Sequence, residues 1–585
     1  MNANASASIE PLPAFESDTT LADAAERKAY APSTPTGPTA PAIPAGSATA
    51  AGPTAPATSV APTAPPAVPA EQVSLKTWIA VIGSTIGAFL AILNIQVVGA
   101  SLADIQGAIG AGADDGGWIT TSYLVAEIVI IPLSGWLARA FSMRTYLLTN
   151  TILFLALTAA CALAQTLGQM IVVRALQGLA GGVLIPLAFT IIMTKLPRSK
   201  HPVALAMYSI AVVFAPSIGP ALGGYFTDNF GWQSIFFLSV PPGLVMIAML
   251  WYALEPSPRE LHLLREGDWL GVVTIAAGLG CFETVLEEGN KDDWFGSSFI
   301  TRLAVIAVAS IAAFIYVELK RHNPLLQLRL LARRNFGLGT LANFVFGFAM
   351  FGWIYLVPLY LSRMQGYSSQ EIGGVMVWLG LPQLLFIPFI PRVMRSVDAR
   401  WLVIAGYILF IAGSLLASHL SDDFSGPQFL ASSLVRALGQ SMVLAPLSVI
   451  SIAGIEPELA GSASALFNMM RNLGGAVGIA LLQTFLTQRE QYHSNILSSQ
   501  VTPLAQATRQ RIAHLVDYFM SHGLSDSSRA YREALVAVGR DIRHEAFLLG
   551  FSDTIILQSA VLGFALVAAL FMRKISSAPV GGGVH

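Results

Sequence analysis

From Trp78 onward the chain is a succession of apolar runs separated by short polar breaks. Each run has about the 20 residues that a helix needs to cross a hydrocarbon core roughly 30 Å thick. Fourteen can be placed, at 77–98, 116–138, 145–164, 168–193, 203–226, 233–254, 269–286, 299–318, 336–360, 371–391, 400–418, 428–452, 460–486 and 549–572. In lipid every backbone amide must be satisfied within its own segment, so runs of this length commit the chain to a bundle of spanning helices. Composition agrees: 54% of the 585 residues are hydrophobic and 11% are charged, where a soluble domain carries roughly a quarter. A large soluble enzyme is excluded, because its water-facing surface could not be built from so few charges. The net charge of −1 gives a nucleic-acid partner nothing to hold. The two cysteines, Cys161 and Cys281, lie in apolar runs and read as reduced packing residues, which excludes a disulfide scaffold.

Orientation follows from Lys and Arg in the short loops. With the N-terminus in the cytoplasm, the inner loops hold Arg139 and Arg144, then Lys195, Arg198 and Lys200, and later Lys320, Arg334, Arg392, Arg400, Arg573 and Lys574. The short outer loops hold Lys291, Arg302 and Arg363 and collect acids such as Asp114, Asp292 and Asp423. An even number of spans then puts both termini inside. Residues 1–72 are of another kind: 13 of the 33 prolines fall in the first 70 residues, among Ala, Thr, Gly and Ser. Such a stretch is expected to be a disordered cytoplasmic tail, and 573–585 a short cytoplasmic C-terminal tail. One outer loop is long, at 487–548, and Leu504, Ile512, Leu515, Val516 and Phe519 predict short amphipathic helices there. Long loops escape the charge rule, so its basic residues do not disturb the topology.

The chain also repeats itself. RALQGLAGGVLIPLAF (Arg174–Phe189) and RALGQSMVLAPLSV (Arg436–Val449) each have an intramembrane Arg-Ala-Leu, then small residues, then a proline 12 or 10 positions beyond the arginine. They fall in spans four and twelve. Those spans are equivalent if two six-helix halves, 77–254 and 336–572, flank an inserted pair at 269–318.

APSIGPALGGYFTDNFGW (Ala215–Trp232) resembles the antiporter motif of the major facilitator superfamily, and RALQG at Arg174–Gly178 its fourth-helix arginine motif. GWLARAFSMR (Gly135–Arg144) resembles the loop after the second helix in part, with Arg139 where an aspartate is usual. The span count, the WITTSY entry at Trp118–Tyr123 and the pattern around Asp268 and Asp292–Phe295 resemble the fourteen-span drug–proton antiporters of the EmrB/QacA type. The resemblance implies an all-α major facilitator fold and a proton gradient, with no cofactor, as the energy source. It also implies a small-molecule substrate exchanged for protons across an inner membrane. Relatives in two-membrane bacteria often work with a periplasmic membrane-fusion adaptor and an outer-membrane channel. One departure stands out. The first helix of this subfamily usually carries an aspartate, and here the matching stretch LNIQVVGASL puts Asn94 in its place. An amide cannot exchange protons, so that role is vacant or moved.

Ionisable groups at bilayer depth are functional candidates by default. They are Glu127 in span two, Arg174 in span four, Glu283 in span seven, Arg436 in span twelve, Arg471 in span thirteen and Asp553 at the start of span fourteen. A carboxylate pulled one way by desolvation and the other by a nearby arginine can gain and lose a proton as a cavity opens to each side. Glu127, mid-span, is therefore the expected proton carrier, against a static ion pair with Arg174. Arg174 stays charged and would couple protonation to helix movement, against a plain hydrogen-bond anchor. Arg471 would contact substrate or a neighbouring helix. Glu283 and Asp553 lie near span ends, where interfacial solvation is the simpler expectation. In span five, Gly219, Gly223 and Gly224 permit close helix approach while Pro216 and Pro220 bend the helix, together a stiff pivot. Phe346, Phe351 and Trp353 in span nine, with Trp378 and Gln383 in span ten, are candidate cavity residues for a planar amphipathic substrate.

No G-x-x-x-x-G-K-[ST], H-E-x-x-H or G-x-S-x-G run occurs, and no cluster of metal-ligand residues, so neither an ATPase nor a membrane hydrolase is expected. The reading is a proton-driven exporter of small amphipathic compounds. A uniporter or importer, which Asn94 allows, and a non-transporting sensor are the alternatives.

Overall fold

The computed structural model describes residues 73–574 apart from 266, 322, 323, 422 and 503. The expected tails at 1–72 and, beyond Lys574, at 575–585 lie outside the described residues. Every regular element among the described residues is helical. Span one is Leu75–Ala100, span three Met143–Cys161, span four Leu167–Lys195, span five Arg198–Phe230 and span six Ser234–Ala253. Spans seven and eight are Trp269–Glu288 and Ser298–Lys320. Spans nine to fourteen are Arg334–Gln365, Ser369–Val393, Ala399–Leu416, Gly426–Ile452, Pro457–Gln500 and Ser527–Leu570. Span two is a broken helix, Trp118–Ile130 followed by Ser134–Phe141 at 64°. Pro132 sits at the break, where it has no amide to donate and its ring clashes with the preceding turn.

The internal repeat extends to the packing. Span one packs on spans four, five and six, and span nine on twelve, thirteen and fourteen. Span two packs on four as ten packs on twelve, and span three on four and six as eleven packs on twelve and fourteen. Each second-half partner is the first-half partner moved on by eight spans, so the halves are parallel copies. The inserted pair separates them in sequence and joins them in space. Span seven packs on span eight, on span two of the first half and on span thirteen of the second. Thr121 Oγ1 donates to Glu288 Oε1 at 2.8 Å on one side, and Trp294 Nε1 donates to Thr484 Oγ1 at 3.1 Å on the other.

Spans five and ten form the main seam between the halves. A Cβ on Gly373 would lie 2.4 Å from Ala221 Cα, and one on Gly224 would lie 2.9 Å from the Ser369 carbonyl carbon. Gly219 and Gly223 face the other way: their Cβ atoms would meet Gln96 Cβ at 2.4 Å and Val97 O at 2.8 Å on span one. The motif glycines thus press span five against two helices at once, with Pro216 and Pro220 inside the same helix.

The long loop differs from expectation. Span thirteen runs on to Gln500 and span fourteen begins at Ser527, so most of 487–548 is continuous extension of spanning helices. Once a span has nucleated a helix, each further residue of this Gln-, Arg- and Glu-rich sequence adds a hydrogen bond with no new nucleation step. A single separate helix, Gln506–Ser521, packs on span fourteen, with Ile512 buried and Leu504 exposed.

Candidate functional site

A cavity of about 630 Å³ lies between the halves, within the size range of small-molecule sites. Its wall comes from the late turns of spans one, seven, nine and thirteen and the early turns of two and ten, the ends remote from the basic loops. At the opposite end the halves are locked together. Tyr208 Oη donates to Asn468 Oδ1 at 2.6 Å, Ser464 Oγ donates to the Pro186 carbonyl at 2.6 Å, and Phe189 packs on Tyr208 and Phe467 with ring centroids 5.5 and 5.6 Å apart. All of these side chains are fully buried. The cavity is therefore closed on the side of the Lys- and Arg-rich loops.

Glu127 lies in the cavity wall on the first half of the broken span two and is 3% exposed. Its Oε1 accepts from Asn472 Nδ2 of span thirteen at 3.3 Å, a bond across the seam, and its Oε2 has no hydrogen-bond partner among the described residues. The static ion pair with Arg174 is not formed. Arg174 Nη1 donates to Asn94 Oδ1 at 2.6 Å and to Gln177 Oε1 at 2.7 Å, Nε donates to the Ile119 carbonyl at 3.2 Å, and the guanidinium lies 4.3 Å from the Tyr123 ring centroid. Gln177 in turn donates to Thr158 Oγ1 at 2.7 Å. Asn94 thus serves as a neutral acceptor for a fully buried cation.

Arg436, the repeat counterpart of Arg174, is also fully buried among neutral partners. It donates to Ser414 Oγ and to the Ala349 carbonyl and lies 3.8 Å from the Trp353 ring centroid. Arg471 makes one long bond, 3.5 Å, to Asn472 Oδ1, the residue that holds Glu127. Asp553 belongs to a different cluster on the helical extensions, bonded to Arg489 at 2.6 Å and His493 at 2.8 Å.

Of the expected cavity residues, Phe351 lines the cavity. Trp353 is instead buried under Arg436, and Phe346 packs edge-on to Phe410. Gln383 is buried in a 2.6 Å bond to Gln440 between spans ten and twelve, and Trp378 is exposed on the outside of the bundle. The reason is register: in span nine the cavity face runs through Phe351, Ile354, Tyr355 and Pro358, and Trp353 points to the other side. Glu283 also departs from the interfacial expectation. It is 3% exposed, lines the cavity and leaves its Oε2 without a partner. Beside it are three residues not singled out from the sequence: Glu287, Glu288 and Lys291, whose Nζ bonds Glu288 Oε2 at 2.9 Å. An apolar run that ends at 286 excludes them, although Glu283 and Glu287 share a helix face at i, i+4.

The profile of the Major Facilitator Superfamily matches residues 84–479. The colistin resistance protein EmrB of Acinetobacter baumannii is 29% identical over 497 residues, 85% of this chain and 96% of its own. The multidrug export protein EmrB of Haemophilus influenzae is 31% identical over 499 residues, 84% and 94% of the two chains. Among solved structures, the superfamily's proton:xylose symporter XylE shares the fold with a TM-score of 0.50 at 14% identity, over 83% of this chain and 94% of its own. The doubled six-helix packing around a central cavity and the match over most of the chain agree: this protein belongs to the Major Facilitator Superfamily, among relatives of the EmrB type, and is a multi-pass membrane transporter rather than an enzyme.

Proposed function

We propose that the protein exports small amphipathic organic compounds across the cytoplasmic membrane in exchange for protons, by alternating access. The observation that carries the reading is Glu127, a buried carboxylate in the cavity wall whose single hydrogen bond crosses the seam to Asn472. Protonating Glu127 weakens it as an acceptor, because a hydrogen bond to a charged group is worth roughly twice a neutral one. A proton arriving there loosens one tie between the halves, and its departure restores it. In this reading Arg174 and Asn94 hold the first half rigid around Glu127, and the pivot of Gly219, Gly223 and Gly224 lets span five rock between spans one and ten. With both termini cytoplasmic, as the charge asymmetry of the loops favours, the cavity opens outward and the Tyr208–Asn468 layer is the cytoplasmic gate. Export relatives named for multidrug and colistin resistance support the direction of transport. The helical extensions around 487–548 provide a surface for a periplasmic adaptor and its outer-membrane channel. Uncoupled transport is the second reading, and Asn94 in place of an acid is what favours it. Loading vesicles with a fluorescent amphipathic dye and collapsing the pH gradient separates the two. Efflux that stops with the gradient supports antiport, and efflux that continues down the dye gradient supports the uniporter.

A further inference from the structure

A proton can drive the movement of two halves only through a contact whose strength differs between their two arrangements. Groups that travel together on one half do not meet that condition. The charged groups that act on Glu127 are Arg471 of span thirteen, Arg174 of span four and Glu283 of span seven, with the Tyr123 hydroxyl on its own helix. Arg174 shares a half with Glu127. Its bonds to Asn94, Gln177 and the Ile119 carbonyl stay within that half and leave only Nη2 open. Its distance from Glu127 is therefore held while the halves rock. Glu283 stands on the inserted pair, which is tied to both halves. Of these groups, Arg471 is the one on the opposite half, and its charge is opposite to that of a deprotonated Glu127.

The Arg471 side chain is 1% exposed, yet Nε and Nη1 have no hydrogen-bond partner among the described residues, and Nη2 makes the 3.5 Å bond to Asn472 Oδ1. Buried donors are normally satisfied, so two open ones on one cation call for a partner that this arrangement does not supply. Glu127 Oε2, open across the seam, is an acceptor of the matching charge. The Arg471 backbone is pinned, since a Cβ on Gly347 of span nine would lie 2.1 Å from its carbonyl oxygen. Span thirteen also joins this charge to the closed end of the cavity. Asn468, which accepts from Tyr208 Oη at 2.6 Å, lies three residues before Arg471 and four before Asn472, on one helix face. Ser464, bonded to the Pro186 carbonyl, is one turn earlier. Arg471 acts electrostatically on Tyr208 as well as on Glu127. One cation thus sits between the proton site and the gate layer.

We infer that Arg471 is a positioning residue that couples Glu127 to the gate: a deprotonated Glu127 holds Arg471 and Asn472 across the seam and keeps the Tyr208–Asn468 layer closed, and a proton on Glu127 releases span thirteen to open it. The inference rests on the transporter reading above and names the group that transmits its proton step. Arg174 remains a fixed part of the first half.

A double-mutant cycle on gate opening tests this. A cysteine is placed at Ala206, which is buried against Ile387 and Ala445 of the second half, in the full-length protein with Cys161 and Cys281 replaced by serine. Its rate of labelling by a maleimide is measured in detergent at one alkaline pH, without substrate, and Glu127→Gln stands in for the protonated carboxyl. Glu127→Gln is expected to raise the rate about tenfold, and Arg471→Met to raise it to a similar degree. The double variant labels no faster than Arg471→Met alone. In Arg471→Lys, which keeps the charge, Glu127→Gln again raises the rate. Arg471→Gln takes the place of Arg471→Met if the latter does not fold. A structural role alone makes the two effects independent, so a double variant that shows their product overturns the inference. So does wild-type labelling in Arg471→Met, or a Glu127→Gln effect that Arg174→Lys abolishes and Arg471→Met leaves intact. Labelling is read without transport, so a protein that shows this coupling but exports nothing from vesicles sinks the exporter reading and leaves this one standing. Export that depends on Glu127 beside independent labelling effects sinks this one alone.

Discussion

Spans nine and thirteen approach so closely at three glycines that a single methyl group there tests the packing directly. A Cβ on Gly474 would sit 2.0 Å from the Phe344 carbonyl oxygen, about 1.4 Å short of ordinary contact. The obstacle is backbone, so no rotamer change relieves it. The neighbouring contacts are of the same kind: a Cβ on Gly347 would lie 2.1 Å from the Arg471 carbonyl oxygen, and one on Gly478 would lie 2.5 Å from that of Phe348. Gly474→Ala must therefore push the two helices apart, with overpacking of about 3 kcal/mol, the upper part of the usual range. Against this stands the helix preference for alanine over glycine, about 1 kcal/mol. The net expectation is a loss of about 2 kcal/mol. Gly563→Ala in span fourteen is the internal control, since nothing lies within 4 Å of its Cβ position, and it keeps the whole gain of about 1 kcal/mol. With the half-buried Cys281 replaced by serine, the buried Cys161 provides a native reporter, because a thiol-reactive dye labels it when the bundle opens. Melting both variants in one detergent should give shifts of opposite sign. Shifts of the same sign, or a Gly474→Ala protein as stable as wild type, would refute the packing argument.

Other expectations follow from single contacts. Arg174→Met takes one donor from the Ile119 carbonyl and from Gln177 Oε1, which keeps Cys161 Sγ, and leaves Asn94 Oδ1 with none, at about 1–3 kcal/mol for that buried orphan; a drop in melting temperature is expected, reduced when Asn94→Leu is added to the same protein. Tyr208→Phe removes the 2.6 Å bond to Asn468 at the closed end, worth about 0.5–1.5 kcal/mol, and should raise labelling of a cysteine placed at Ala206 from the side of the Lys- and Arg-rich loops. At Glu456, in the loop before span thirteen, the hydrogen bonds and charge of Arg333 hold the carboxyl below its ordinary range. Its contribution is present above the unfolded carboxyl's pKa and is lost as pH falls through the lower folded value. Glu456→Gln should therefore flatten the acid side of the stability profile and leave the profile above pH 8 level, as melts across a pH series would show.

Much of this architecture can be read from the sequence because lipid leaves the backbone few choices. Twenty apolar residues in a row can only be a helix, so the fourteen spans and the two repeated halves follow from hydropathy and from the paired Arg-Ala-Leu runs at Arg174 and Arg436. The antiporter motif likewise states its contacts, since Gly219, Gly223 and Gly224 are needed only where another backbone comes near. The cavity wall is harder to read, because which face of a membrane helix is lined by lipid and which by substrate is not encoded in its composition. Phe346, Phe351 and Trp353 are alike as residue types and differ only in register. Glu287 and Glu288 were hidden for the opposite reason: charge ends an apolar run, so the residues that make the site polar also remove it from view. The partner of Arg174 depended on a tertiary contact of 2.6 Å between spans one and four, which no local pattern specifies.

The central claim is that substrate leaves as protons enter through Glu127, and proteoliposomes holding a pH-sensitive dye test it most directly. The purified protein is inserted with its cytoplasmic face outward, and tetraphenylphosphonium is added to the outer solution under an imposed pH gradient, acidic inside. The account predicts a substrate-triggered release of protons by wild type that Glu127→Gln lowers at least tenfold, while the mutant keeps its melting temperature. Proton release at the wild-type rate from Glu127→Gln would contradict it.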